Sequence, residues 1–224
     1  MRTLYHTPLS PYCRKVRILL REKELEFDLV QENFWERRQE LFALNPAGEV
    51  PVLQEEDGEL VCGSYAIMEY LEEAYRDNNK RYIGSSISER AEIRRIIDWF
   101  DRKFDNEVTQ NILFEKLFKR LMSYGEPQSE AIRAGKKNIL YHLDYIAYLT
   151  AEQQYLAGDT ITLADITAAA HFSALDYLGD VPWEHNPKAK EWYAIMKSRP
   201  SMRAVLADRI PSVRPPAHYE NPDF

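Results

Sequence analysis

Cysteine is nearly absent from this chain. Cys13 and Cys62 are the only two among 224 residues, too few for a disulfide framework and without the spacing of a zinc site, which points to a reducing compartment. No run approaches the roughly 18 to 20 consecutive apolar residues a membrane span needs, and Met1 to Leu9 lack an apolar stretch of signal-peptide length. A cytoplasmic protein is expected. Charge of one sign is missing too: the net charge of −7 is spread over interspersed acids and bases, which gives no footing for non-specific nucleic-acid binding. The five histidines show no metal-ligand spacing, and His142 and His171 fall within apolar helical patterns, as core histidines do. No metal site is expected.

What is present is an ordered series of elements. Leu4-Tyr5 opens a short strand, Pro8 and Pro11 stop it, and Val16, Leu19 and Leu20 recur at helical spacing. Alternation around Phe27 to Gln31 reads as a second strand, and a helical stretch from Trp35 to Leu44 ends at Asn45-Pro46-Ala47-Gly48. Asp57-Gly58 between two short apolar runs signals a hairpin, because Asp-Gly supplies the positive φ angles of a tight turn. Ser64 then begins a helix. This βαβ-ββα order is that of a thioredoxin-like α/β domain over residues 1–77.

Residues 78–88 are polar and aperiodic, as in a linker. From 89 to 210 strand signals largely vanish, and amphipathic helices are expected around Ile93 to Phe104 and Ile132 to Leu149. Thr162-Leu163-Ala164-Asp165 is a capping box that opens an Ala-rich helix, so the second domain is all-α. Residues 211–224 hold Pro211, Pro215, Pro216 and Pro222 and cannot form a regular helix; this tail must dock extended or stay mobile.

Candidate chemistry gathers in the first domain. Ser10, between the first strand and first helix, can donate a hydrogen bond to a bound thiolate and so lower the thiol's pKa, or can act only as a helix N-cap. Cys13, three residues on, stands where a redox dithiol would keep its second cysteine, but with serine first no internal disulfide can form; it is a packed residue or a reactive thiol. Val50-Pro51 is a candidate cis peptide, whose Val50 backbone can pair with an extended peptide ligand or whose proline only shapes the sheet. Ser64 offers its hydroxyl and the following N–H groups to a carboxylate, or a simple cap. Arg14, Lys15, Arg17 and Arg21, with Arg37 and Arg38, read as solvated basic faces, an acidic partner being the alternative.

Together Ser10-Pro11-Tyr12-Cys13-Arg14, Asn45-Pro46-Ala47-Gly48-Glu49-Val50-Pro51, Gly63-Ser64 and Thr162-Leu163-Ala164-Asp165 resemble the glutathione transferase superfamily over some 200 residues. The resemblance implies glutathione held by the Val50 backbone beside cis Pro51, its γ-glutamyl carboxylate at Ser64, its thiol near Ser10 with Tyr5 and Cys13 as alternative donors, and an electrophile bound against the helical domain. Many relatives carry Glu or Gln where this chain has Gly63. Loss of that charge-assisted contact would cost roughly 1.5 to 3 kcal/mol, which predicts a weakened glutathione site. The stretch from Arg199 through the tail is similar to FzlA-like cell-division proteins of alphaproteobacteria, which bind the tubulin-like FtsZ. That resemblance implies a homodimeric scaffold at the division site, with Pro215, Pro216, Tyr219, Asp223 and Phe224 facing a partner. A binding protein and an active transferase conjugating glutathione to electrophiles are therefore the two readings.

Overall fold

In the computed structural model, which describes residues 1–76, 80–211 and 213–221, four short strands form one mixed sheet in the order β2-β1-β3-β4. β1 (Thr3–His6) pairs parallel with β2 (Asp28–Gln31) and antiparallel with β3 (Val52–Gln54), and β3 pairs antiparallel with β4 (Leu60–Cys62). Leu4 stands opposite both Leu29 and Leu53, and its side chain and that of Leu53 are fully buried. The hairpin turns at Gly58, with φ of +93° as the Asp-Gly pair predicts.

Ser10 caps α1 (Pro11–Glu22), its Oγ accepting from the Cys13 N–H at 3.4 Å. The helical stretch expected from Trp35 splits into a 3-10 turn, Phe34–Glu36, and α2 (Gln39–Leu44), because Arg37 adopts a left-handed φ of +51° between them. α3 spans Ser64–Ala74.

The helical half begins with α4 (Ile87–Asp98), inside the segment read as linker. Ser86 and Glu89 form a capping box that fixes this start, a signal legible in Ser-x-x-Glu. The chain continues without a break as a π-type helix, Trp99–Phe118, and a last turn, α5 (Lys119–Leu121). α6 (Ser129–Leu149), α7 (Leu163–Tyr177), α8 (Pro187–Ser198) and α9 (Pro200–Leu206) complete the bundle.

Every residue of α7 is buried, so its polar side chains must be satisfied internally. Asp165 does most of this: Oδ1 accepts from the Leu156 N–H at 2.8 Å and the Trp192 indole at 3.0 Å, and Oδ2 from the Thr162 N–H and hydroxyl, both at 3.0 Å. Asp165→Ala removes a helix cap and strands an indole and an amide. It is expected to lower the unfolding free energy by about 3 kcal/mol or more in urea titrations; a loss below about 1 kcal/mol would show that the box is dispensable.

The basic face of α1 is the largest departure from expectation. Arg14 and Lys15 are wholly buried and Arg17 nearly so, leaving only Arg21 of that set exposed. α1 is wedged between the sheet and the helical half, packing on α3, α7 and α9, so its cations find partners across the interface. Arg17 makes a bidentate pair with Asp208 at 2.8 and 2.9 Å, Lys15 binds Asp101, and Glu22 accepts two bonds from Arg199 at 2.7 and 2.8 Å. Arg199 and Ser201 hold the Glu22 carboxyl low against the opposing effect of burial.

The tail docks. Ile210 bridges to Val213, and Tyr219, expected to face a partner, is completely buried. Its hydroxyl accepts from Arg14 Nη1 at 3.0 Å and its ring meets Tyr177 edge-on at 5.2 Å. Tyr219 therefore anchors the tail to its own chain. Pro215 and Pro216 are half-buried, and Asp223 and Phe224 lie outside the described residues.

Candidate active site

Two adjoining cavities open where the first domain meets the π-helix. One, of 520 Å³, is lined by Val50, Pro51, Cys62, Gly63, Ser64 and the start of α3; the other, of 460 Å³, by Ser10, Phe34, Asp105, Thr109, Leu113 and Phe118. Tyr12, Glu49 and Val50 line both and form the wall between them.

The Val50-Pro51 peptide is cis, as its position at the Gly48 turn predicts. Ser64 departs from the expected cap: the cap position is Gly63, Ser64 is the first helical residue, and no side chain caps this end. The first bond of α3 runs from the Ile67 N–H to the Gly63 carbonyl at 3.0 Å. The N–H groups of Ser64, Tyr65 and Ala66 therefore have no partner within the helix, and all three residues line the first cavity. An anion fits there without a basic side chain. Gly63 has φ of +86°, where a side chain is strained, although a Cβ would meet nothing within 4 Å.

Ser10 Oγ is already an acceptor for the cap, but its own hydrogen remains to be donated into the second cavity. Cys13 is fully buried; burial pushes its thiol up to about 11 against the opposing Thr7 and Ser10 hydrogen bonds, so it is a packed residue there. Tyr5 lines neither cavity, and its hydroxyl lies 3.3 Å from Gln54 Oε1. The structure thus brings Ser10, Val50, Pro51, Gly63 and Ser64 to one place and leaves Tyr5 and Cys13 out of it.

Sequence reasoning missed the acidic wall. Tyr12 donates to the Asp101 carbonyl at 2.9 Å, and burial, with Asp105 and Asp101 nearby, raises its phenol well above the usual range. Asp101 also pairs with Lys15 and lies 3.3 Å from His171 Nε2; burial raises its carboxyl, but these two neighbours outweigh it and hold it low. Neither cavity has a Lys or Arg in its lining, whereas Glu49, Asp101 and Asp105 are present. Asp101, Asp105, Thr109 and Leu113 all lie on the π-type helix, Asp101 lining the first cavity and the other three the second. No group of histidine, cysteine and carboxylate residues able to hold a metal ion occurs among the described residues.

Comparison with known proteins decides the family. Residues 4–79 match the glutathione S-transferase N-terminal domain, and residues 110–200 match the glutathione S-transferase C-terminal domain. The chain belongs to the glutathione S-transferase family. It is 46% identical to FtsZ-localized protein A of Caulobacter vibrioides, covering 100% of this chain and 98% of that one. It matches the structure of FzlA from C. crescentus with a TM-score of 0.94 at 46% identity, covering 100% of this chain and 99% of that one. A glutathione S-transferase from Rhodospirillum rubrum F11 superimposes with a TM-score of 0.97 at 52% identity, both chains covered in full. A Methylobacterium radiotolerans glutathione S-transferase, solved in complex with glutathione sulfonate, is 26% identical with a TM-score of 0.75 over 93% of this chain and 99% of that one.

Within the family the protein is FzlA-like. No helix of the described residues is long and apolar enough to cross a membrane.

Proposed function

We propose that this chain is an FzlA-like cell-division regulator that binds FtsZ, using a transferase scaffold whose glutathione site is weak. The observation that carries the reading is the 46% identity to FtsZ-localized protein A along the full chain, the tail included. Gly63 and the lack of a Lys or Arg lining the glutathione cavity support the weak site: the start of α3 can hold one carboxylate, and no fixed cation meets the second. A cytoplasmic homodimer acting at the division site goes with this reading.

Co-sedimentation with polymerised FtsZ tests it. The full chain is expected to pellet with FtsZ, and a chain ending at Asn221, which keeps the Tyr219 anchor but lacks Pro222, Asp223 and Phe224, is expected to pellet less. No pelleting of the full chain overturns the proposal; equal pelleting of both frees the chain end from any role. Calorimetric titration with glutathione is expected to give a roughly millimolar affinity or weaker.

The second reading, an active transferase, is favoured by Ser10, whose free hydrogen adjoins both Val50 and the acceptor cavity. Conjugation of glutathione to a general electrophile, abolished by Ser10→Ala, would establish it. Activity indifferent to Ser10 would take that residue out of the mechanism.

A further inference from the structure

β2 is an outer strand of the sheet, and one of its edges is free. The Asp28 N–H donates to the Arg2 carbonyl at 2.9 Å and the Glu32 N–H to the His6 carbonyl at 2.8 Å, so alternate residues, Asp28, Val30 and Glu32, turn their backbone groups toward β1. The N–H and C=O groups of Leu29 and Gln31 point the other way and have no partner among the described residues. All four side chains of the strand are exposed, Leu29 at 43% and Val30 at 38%, on opposite faces. An unpaired edge with apolar side chains on both faces is a template for a further strand.

The charges select the strand. Glu26 and Asp28 are exposed and have no cation partner among the described residues, whereas Glu24 pairs with Lys80 and the Arg21 guanidinium lies over the Phe27 ring at 4.9 Å. A second copy of this chain would bring the same carboxylates together in one ribbon, which opposes self-pairing. We propose that β2 takes an extended basic peptide as an added strand, bonded to the backbone of Leu29 and Gln31. Its cations lie on the face of Asp28, where their aliphatic stems cover Val30, and its alternate apolar side chains lie on the face of Leu29. A neutral peptide gains no charge contact there, and an acidic one is repelled. The site rests on neither reading above, because none of its residues lines the two cavities or belongs to the tail.

Fluorescence anisotropy on the full chain tests it with three short labelled peptides: alternating lysine and valine, the same with glutamate for lysine, and the lysine peptide N-methylated at every peptide bond. The first is expected to bind with a Kd below about 1 mM and the other two at least about tenfold more weakly, one having lost the charge match and the other its N–H donors. No binding of the first overturns the proposal, as does a glutamate or N-methylated peptide that binds equally well. Leu29→Pro removes an edge donor and no bond to β1; with folding checked by thermal unfolding, it is expected to weaken the lysine peptide about fivefold, and an unchanged affinity overturns the site. Amide hydrogen exchange gives a reading free of the variant. With the lysine peptide in excess, exchange at Leu29 and Gln31 is expected to slow at least about threefold while Asp28 and Val30 change little, and unprotected Leu29 and Gln31 amides overturn the proposal.

Discussion

Replacing Arg14 by alanine is expected to destabilise the protein by about 3 to 5 kcal/mol and to release the tail. Arg14 is fully buried, and its guanidinium reaches four groups drawn from three places in the helical half. Nη1 donates to Ser173 Oγ at 2.8 Å and Tyr219 Oη at 3.0 Å; Nη2 donates to the Val205 carbonyl at 2.9 Å and to Asp208 at 3.2 Å. Burial works against this cation, yet its pKa is raised, because Tyr219 and Asp208 outweigh the loss of water. Alanine would leave a cavity, two hydroxyls and a carbonyl without their donor, and Asp208 with Arg17 as its remaining partner. Urea titration measures the first effect and limited proteolysis after Ile210 the second. Arg14→Lys keeps the charge but lacks the planar fork, so it is expected to recover only part of the stability. A tail that stays protected in Arg14→Ala would show that Tyr219 holds it through Tyr177 packing alone.

Stability is expected to fall as pH drops from 7 to 5, with two buried histidines as the main cause. His6 is lowered to about 4 by burial, with Arg17 and Arg14 adding to it; His142 is lowered to about 4 by burial, although Glu107 opposes it. The Trp99 indole donates to His142 Nδ1 at 3.1 Å and Nε2 lies 3.0 Å from Glu107, so the neutral ring, with its proton on Nε2, satisfies both neighbours. A second proton would break the Trp99 bond. His6 Nδ1 has no hydrogen-bond partner among the described residues, and burial with Arg17 and Arg14 outweighs the pull of Asp208 toward the protonated ring.

The folded state of each ring takes its proton at lower pH than the unfolded chain, so between the two values the unfolded chain binds more protons. The stabilising effect is complete above the unfolded value of 6.5 and is lost as pH falls toward about 4. By pH 5 the loss is about 2 kcal/mol for each histidine. Carboxylates held low, such as Asp101 and Asp208, add their own loss further down, near the ordinary carboxylate range. Unfolding free energies measured at pH 7, 6 and 5 check this, and His6→Gln is expected to flatten the slope by about half. A stability unchanged between pH 7 and 5 would rule out both shifts.

Much of the fold and part of the site could be read before any coordinates. The Gly48 turn, the cis Val50-Pro51 peptide, the Asp57-Gly58 hairpin and the Thr162 box depend on residues within a few positions of one another, and each formed where expected. The start of α4 was missed although Ser86-x-x-Glu89 is equally local. Ser64 was misplaced by a single position, from cap to first helical residue, because Gly63 takes the positive φ that ends the preceding strand.

The sequence alone thus determined the order of elements, the family and the residues that gather around the cis Val50-Pro51 peptide, since turns, caps and periodicity are encoded within one or two helical turns. Only the tertiary structure decided that the basic face of α1 is an internal seam and that Tyr219 is an anchor. A charged side chain looks the same in sequence whether it meets water or a counter-ion 191 residues away, as Arg17 meets Asp208. Burial is a property of what packs against a residue, and the π-type helix from Trp99 to Phe118 has no short-range signature to announce it.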